Sequence, residues 1–209
     1  MAIRKARKQL LRRRTPGPLD YMLHITIDDI TPPIWRDIVV SERATLLQLH
    51  RTLQIAFGWF DMHLHMFEIN GIKYSQPEDD SGAGLDELDA RSTLDVSIKD
   101  LRLPEGATFT YEYDFGDSWM HTVLVTSVHE EIDPELTAYP LLVGGARAAP
   151  PEDCGGAPGY EQLLTVLRDP KNKEHEAMLM WLGLPFDPEL FDMRTVTHAL
   201  TMACGWGAI

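Results

Sequence analysis

The sequence predicts an α+β fold: a mixed, mostly antiparallel sheet with one early helix packed on it and a C-terminal group of helices. Three observations lead there. Period-two alternation of apolar and polar residues recurs through the first 130 positions. A helical stripe interrupts it at 46–57, and only helical patterns follow residue 157.

The elements follow in order. Thr15-Pro16-Gly17-Pro18 breaks the chain after a basic segment, so the reading is a tail over 1–18 and one folded unit over 19–209, helical from 157. Tyr21, Leu23, Ile25 and Ile27 alternate with Met22, His24, Thr26 and Asp28 as a first strand. Pro32-Pro33 turns the chain into a second strand at Ile34–Val40, with Trp35 expected in the core and Arg36 expected to pair with an acid. Thr45 and Gln48 have capping-box spacing ahead of the stripe Leu46, Leu49, Leu53 and Phe57, and Gly58 can end that helix. His50 sits beside the stripe as a core-edge histidine. A third strand over His63–Ile69 meets Asn70-Gly71, a two-residue hairpin signal. Gln76–Ala90 holds six acids in fifteen residues without EF-hand order, which reads as a solvated loop.

The clearest stretch is Tyr111–His121. Phe109, Tyr111 and Tyr113 alternate on one side, Trp119, His121, Val123 and Val125 on the other, and Asp114-Phe115-Gly116-Asp117 forms the turn between them. Gly116 is the residue expected to take a positive φ, while the aspartates accept from nearby amides. Val143-Gly144-Gly145 and Pro150–Gly156 read as an ordered loop stiffened by proline. Tyr160, Leu163, Leu164 and Leu167 make a helical face ending before Pro170. Asn172 can cap a helix carrying Ala177 and Trp181, and Asp187 or Asp192 can start a last one with Val196, Leu200 and Ala203 inward.

Charge is spread unevenly. Residues 1–14 hold Arg4, Lys5, Arg7, Lys8, Arg12, Arg13 and Arg14 and no acid, a charge of +7. The other 195 residues keep 12 basic groups against all 32 acids, a charge of −20. Such an acidic body repels nucleic acid, so any nucleic-acid contact is expected to run through the tail. Two cysteines, Cys154 and Cys204, make no disulfide framework, which predicts a reducing, cytoplasmic setting. No run approaches the roughly 18 apolar residues that span a bilayer, so no membrane partner is expected.

Three polar groups carry the candidate chemistry. His63 and His65 are two apart on the expected strand and so share a face. The hairpin supplies Asp114, Asp117 and His121, and the stiff loop supplies Glu152, Asp153 and Cys154. Together, histidines and carboxylates can hold a divalent metal and activate water, with His63, His65 and His121 as the expected ligands. Trp35, Arg36, Trp59, Tyr113, Trp119 and Tyr160 are the expected cleft lining.

Pro32-Pro33-Ile34-Trp35-Arg36, Leu49-His50, Phe57-Gly58-Trp59, His63-Leu64-His65, Tyr113–His121 and Pro151-Glu152-Asp153-Cys154-Gly155-Gly156 resemble, in that order, the plasmid pRiA4b ORF-3-like family from about Tyr21 to Leu200. Thr126 departs from that pattern, which expects a glutamate there. The resemblance implies an α+β domain carried on plasmids, insertion elements and chromosomes, without an established activity. Relatives are sometimes labelled transposon resolvase-like (TnpR) passengers, yet no nucleophilic serine with supporting arginines appears here. The leading expectation is a non-catalytic accessory protein of mobile-element origin that touches nucleic acid through its tail. The alternatives are a metal-dependent hydrolase of phosphodiesters built on the His/Asp/Glu groups, and a protein-interaction module with an aromatic groove.

Overall fold

The computed structural model describes residues 17–76, 84–130 and 140–204, so the basic residues Arg4–Arg14 and part of the acidic loop lie outside the described residues. Among the described residues, eight strands form one sheet: β1 (Leu19–Ile27), β2 (Ile34–Ser41), β3 (His65–Ile69), β4 (Ile72–Ser75), β5 (Ala90–Ser92), β6 (Thr108–Tyr113), β7 (Trp119–Glu130) and β8 (Leu141–Ala146). Their spatial order is β5-β4-β3-β6-β7-β1-β2-β8, antiparallel throughout except for the parallel β4–β5 edge. The helices are α1 (Leu46–Phe57), α2 (Leu85–Leu88), α3 (Ile98–Leu101), α4 (Gly156–Arg168), α5 (His175–Leu182) and α6 (Met193–Cys204). None of the described helices is long and apolar enough to cross a membrane.

One face of the sheet is the core. Leu23, Ile25, Ile38, Phe67, Tyr111, Trp119 and Val123 are sealed from water there against Leu46, Leu49 and Leu53 of α1. The capping box at Thr45 and Gln48 fixes where α1 begins, and Gly58 in the left-handed region ends it. Asn70 and Gly71 both take positive φ in the two-residue β3–β4 turn. At the β6–β7 turn the positive φ falls on Asp114 and Ser118 rather than on Gly116. Asp114 Oδ1 accepts from the amides of Gly116 and Asp117, which is what lets a non-glycine hold that conformation.

The structure reverses the expected roles of Trp35 and Arg36. Ile34, Ile38 and Val40 face the core, and by parity so does Arg36, only 2% exposed, while Trp35 lies half-buried on the other face beside His24. Arg36 donates to backbone carbonyls rather than to an acid: Nε to Ala56 (2.8 Å), Nη1 to Trp35 (2.7 Å) and Ala146 (2.9 Å), Nη2 to Arg147 (2.9 Å). Its guanidinium lies between the rings of Phe57 and Phe191, 4.9 and 4.1 Å from their centroids. Burial holds its pKa down at about 10, still charged at neutral pH. Val143-Gly144-Gly145, expected as loop, is part of β8, because Phe191 and the Arg36 stem fill the space a Cβ at Gly145 would need. At the other end of the pattern, Ala203 is exposed and Leu200 is buried on α6.

A polar chain crosses the core. Gln54 Nε2 donates to the Tyr111 hydroxyl (3.0 Å), which meets His50 Nδ1 (2.8 Å), while His50 Nε2 meets Asp61 Oδ1 (2.7 Å). The His65 ring stacks on His50 at 3.5 Å, and His121 donates from Nδ1 to the carbonyl of Trp119 (2.9 Å). Burial pulls His65 down to about 3, with neighbouring His50 adding to the shift, and it pulls His121 down to about 4.

Removing the Arg36 guanidinium strands four carbonyls in three segments of chain. Arg36→Met should therefore cost about 3–5 kcal/mol in urea unfolding, and Arg36→Lys, lacking the planar fork, most of that. The two histidines set an acid limit with a definite sign. Neutral in the native state and protonated below pH 6.5 when unfolded, they leave stability intact above that pH and erode it as pH falls toward 4. Each should contribute a slope of about 1.4 kcal/mol per pH unit, and His65→Gln with His121→Gln should flatten the urea midpoint between pH 6.5 and 4.5.

Candidate functional site

Three loops meet at the end of the sheet where β6 turns into β7. The α1–β3 loop brings His63, the hairpin turn brings Asp114, and the β8–α4 loop brings Glu152 and Asp153. Each loop is tied to another through backbone and aromatic groups. Trp59 Nε1 donates to the carbonyl of Pro150 (2.9 Å), and the amide of Gly155 donates to Asp117 Oδ2 (3.0 Å). The Asp114 amide donates to the carbonyl of Leu64 (2.9 Å). Gly156 sits at φ +67 with its α-carbon against the Asp117 carbonyl, so a side chain there would push the loop off the hairpin.

At the centre is His63 Nε2. It lies 3.1 Å from Asp153 Oδ1, 3.6 Å from Asp114 Oδ2 and 3.9 Å from Glu152 Oε2. His63, Asp114 and Asp153 each offer an atom within 4.8 Å of the others, the spacing at which one cation can be shared. Glu152 is preset by its other oxygen: Oε1 accepts from the Tyr113 hydroxyl (2.9 Å) and the Phe60 amide (2.9 Å). That leaves Glu152 Oε2, like His63 Nε2, shielded from water with no hydrogen-bond partner. The Asp153 contact is short but not directed as a hydrogen bond, and the Asp153 side chain is 72% exposed, so the group opens to solvent on that side. Tyr113 is raised above the usual tyrosine range by burial first and by its bond to Glu152 second, so its hydroxyl remains a donor.

The remaining expected site residues fall into place around this centre. Asp117 anchors the loop, and Cys154 is beside it with its thiol pushed up to about 12 by burial and by the Asp117 charge, so no thiolate forms at neutral pH. The expected His63, His65 and His121 trio is not brought together. β3 begins at His65, so His63 lies in the loop and the shared-face argument fails; His65 and His121 point into the core with unpartnered Nε2 atoms. Arg36, Trp59, Tyr113, Trp119 and Tyr160, expected to line a cleft, are core residues, each at most 5% exposed, and Trp35 is on the far face. Trp59, Tyr113 and Trp119 form the floor of the site rather than its wall: Trp59 stacks on Tyr113 (5.0 Å) and Trp119 (6.2 Å) and meets His121 edge-on (5.4 Å). Thr126 lies at a bulge in β7, seven residues and roughly 23 Å along the strand from Trp119, outside this group.

What the sequence did not single out is the apolar rim. Phe60 (77% exposed), Met62 (73%), Leu64 and Phe115 project to solvent beside His63 and Asp114. Their adjacency in sequence to the acids is a usable signal, because the fold does not bury them.

The comparisons with known proteins bear on family and fold and supply no chemistry. The chain is 34% identical over 162 residues to the uncharacterized protein y4hQ of Sinorhizobium fredii (strain NBRC 101917 / NGR234), which covers 77% of this chain and 79% of that one. A crystal structure of a protein of unknown function, MM3350 from Methanosarcina mazei Go1, superposes with a TM-score of 0.74 at 37% identity, covering 86% of this chain and 97% of that one. The family described as plasmid pRiA4b ORF-3-like protein matches residues 20–195, and the chain belongs to that family.

Proposed function

We propose that the protein binds a divalent metal ion through His63, Asp114 and Asp153, with Glu152 as a further donor, and uses it for hydrolysis of a phosphoester. The observation that carries this reading is the pair of shielded, unpartnered atoms, His63 Nε2 and Glu152 Oε2, facing two more carboxylates. Three carboxylates around one imidazole repel one another, and a cation at their centre removes that cost. One nitrogen with several carboxylate oxygens suits manganese, ferrous iron or zinc better than a thiolate-seeking metal. Such an ion would supply Lewis acidity and a bound water of lowered pKa. Tyr113 and the Phe60 amide hold Glu152 in place, and the hairpin amides hold Asp114, so the donors are positioned before any ligand arrives. The exposed flank at Asp153 leaves room for substrate.

A second contact, with nucleic acid through Arg4, Lys5, Arg7, Lys8, Arg12, Arg13 and Arg14, is favoured by the +7 charge of residues 1–14 against a body of −20. It is compatible with the first: the tail would hold a phosphate backbone that the body repels.

Chelator-treated protein should take up about one equivalent of manganese or zinc by titration calorimetry, and saturating metal should raise Tm by several degrees. His63→Ala with Asp153→Ala should abolish uptake while His65→Ala leaves it intact; hydrolysis of bis(p-nitrophenyl) phosphate should follow uptake. Wild-type protein that takes up no metal would end the metal reading. For the tail, affinity for duplex DNA should fall with salt along a log–log slope no steeper than about −6, as seven phosphate contacts allow. Deleting residues 1–14 should abolish binding without lowering the unfolding midpoint, and equal affinity of the two forms would remove the contact.

A further inference from the structure

Beside the metal-binding centre runs a groove between α4 and α5. Asp153 and Cys154 form its near end, Leu163, Ala177, Met178 and Trp181 its walls, and Glu174 stands at its margin. Asp153 therefore belongs both to this groove and to the group around His63. Two features separate the groove from a packing defect. The sequence of α5, His-Glu-Ala-Met-Leu-Met-Trp-Leu, is apolar for a surface helix, yet none of its residues is buried, and Trp181 is left 50% exposed. The space is about 340 Å³, the scale of a small-molecule pocket rather than of a docked helix or strand. Methionine and tryptophan walls adapt to flat or flexible apolar groups.

We propose that the substrate is a small amphipathic phosphoester, its phosphoryl head at the His63–Asp114–Asp153 centre and its apolar group in the α4–α5 groove. This inference rests on the metal reading and adds the substrate class to it. Glu174 at the margin sharpens the class: a tail ending in a carboxylate meets like charge, so neutral tails are favoured. The carboxylates that make the head site repel a phosphoryl group when no cation is present, so head binding requires the ion while the groove contributes through burial of methylenes alone.

The test uses manganese-loaded full-length protein and three probes: methylphosphonate, hexylphosphonate and 5-carboxypentylphosphonate. Manganese uptake is measured in parallel by electron paramagnetic resonance, so the two readings fail separately. Hexylphosphonate should bind about 10- to 100-fold tighter than methylphosphonate, the gain from moving several methylenes out of water. It should also alter Trp181 fluorescence, judged against Trp181→Phe. The carboxylate-ended probe should lose most of the gain and recover it in Glu174→Gln. Met178→Asp should erase the difference between methyl and hexyl probes while leaving methylphosphonate affinity and manganese uptake unchanged, which also shows that the variant is folded. Normal manganese uptake with equal affinity for the methyl and hexyl probes would overturn the groove assignment and leave the metal reading standing; no uptake would overturn both.

Discussion

A buried guanidinium sets the frame. The Arg36 guanidinium holds the last turn of α1 through Ala56, its own strand through Trp35, and the end of β8 through Ala146 and Arg147. Its position explains why the charge is tolerated: the carbonyl of Ala56 is among those a helix leaves unpaired at its C-terminus, where a cation is favoured. Four carbonyl partners and two aromatic faces replace water without any carboxylate. Two of the three loops that build the candidate centre start within a few residues of these contacts. Trp59 follows the fixed end of α1, and Pro150 follows the fixed end of β8; Trp59 Nε1 then joins them. Arg147 extends the same frame outward, bonding the Pro32 carbonyl and pairing with Glu189 at 3.0 Å, which secures the segment carrying Phe191.

Beneath the centre the polar groups are of a different kind. Gln54, Tyr111, His50 and Asp61 form a chain in which each group satisfies the next, and that is the condition for keeping such groups in a core. His65 and His121 are held neutral by burial and lie on the floor. The centre above them has the opposite character, with acceptors gathered and few donors to meet them. The floor keeps unpartnered nitrogens of its own at His65, His121 and Trp119, but in the centre the unpartnered atoms of His63 and Glu152 lie among carboxylates that face one another. That contrast marks the site better than any one residue does.

Much of the frame was legible in the sequence, and the failures have physical causes. Alternation located β1, β6 and β7 because each has one face in the core, and Thr45 with Gln48 located the start of α1 because capping is local chemistry. β8 escaped because Gly144 and Gly145 have no side chains to alternate, and what requires a bare backbone there is Phe191, 46 positions further on. Trp35 and Arg36 were misassigned by hydrophobicity, although the parity of Ile34, Ile38 and Val40 already put Arg36 inside. The histidine pair was read as sharing a face on the premise that both lie in β3; a strand that begins two residues later turns one into a loop residue and the other into a core residue. The meeting of Glu152 and Asp153 with His63 is a tertiary event that no local pattern encodes, though the resemblance of the separate motifs to one family pointed to them.

The charge distribution decides which ligands can reach the centre. A body carrying −20 draws cations inward and repels anions, so in the proposed site a metal ion would arrive ahead of a phosphoryl group and would have to be present before one could stay. With an ion neutralising part of the local charge, the exposed Phe60, Met62 and Phe115 and the α5 wall would favour a ligand that is polar at one end only. The same field argues that a long polyanion gains little from the body surface and needs the basic tail to approach at all. On the proposed reading the ion would come first and the amphipathic ligand second, with polyanions engaged by the basic tail rather than by the acidic body.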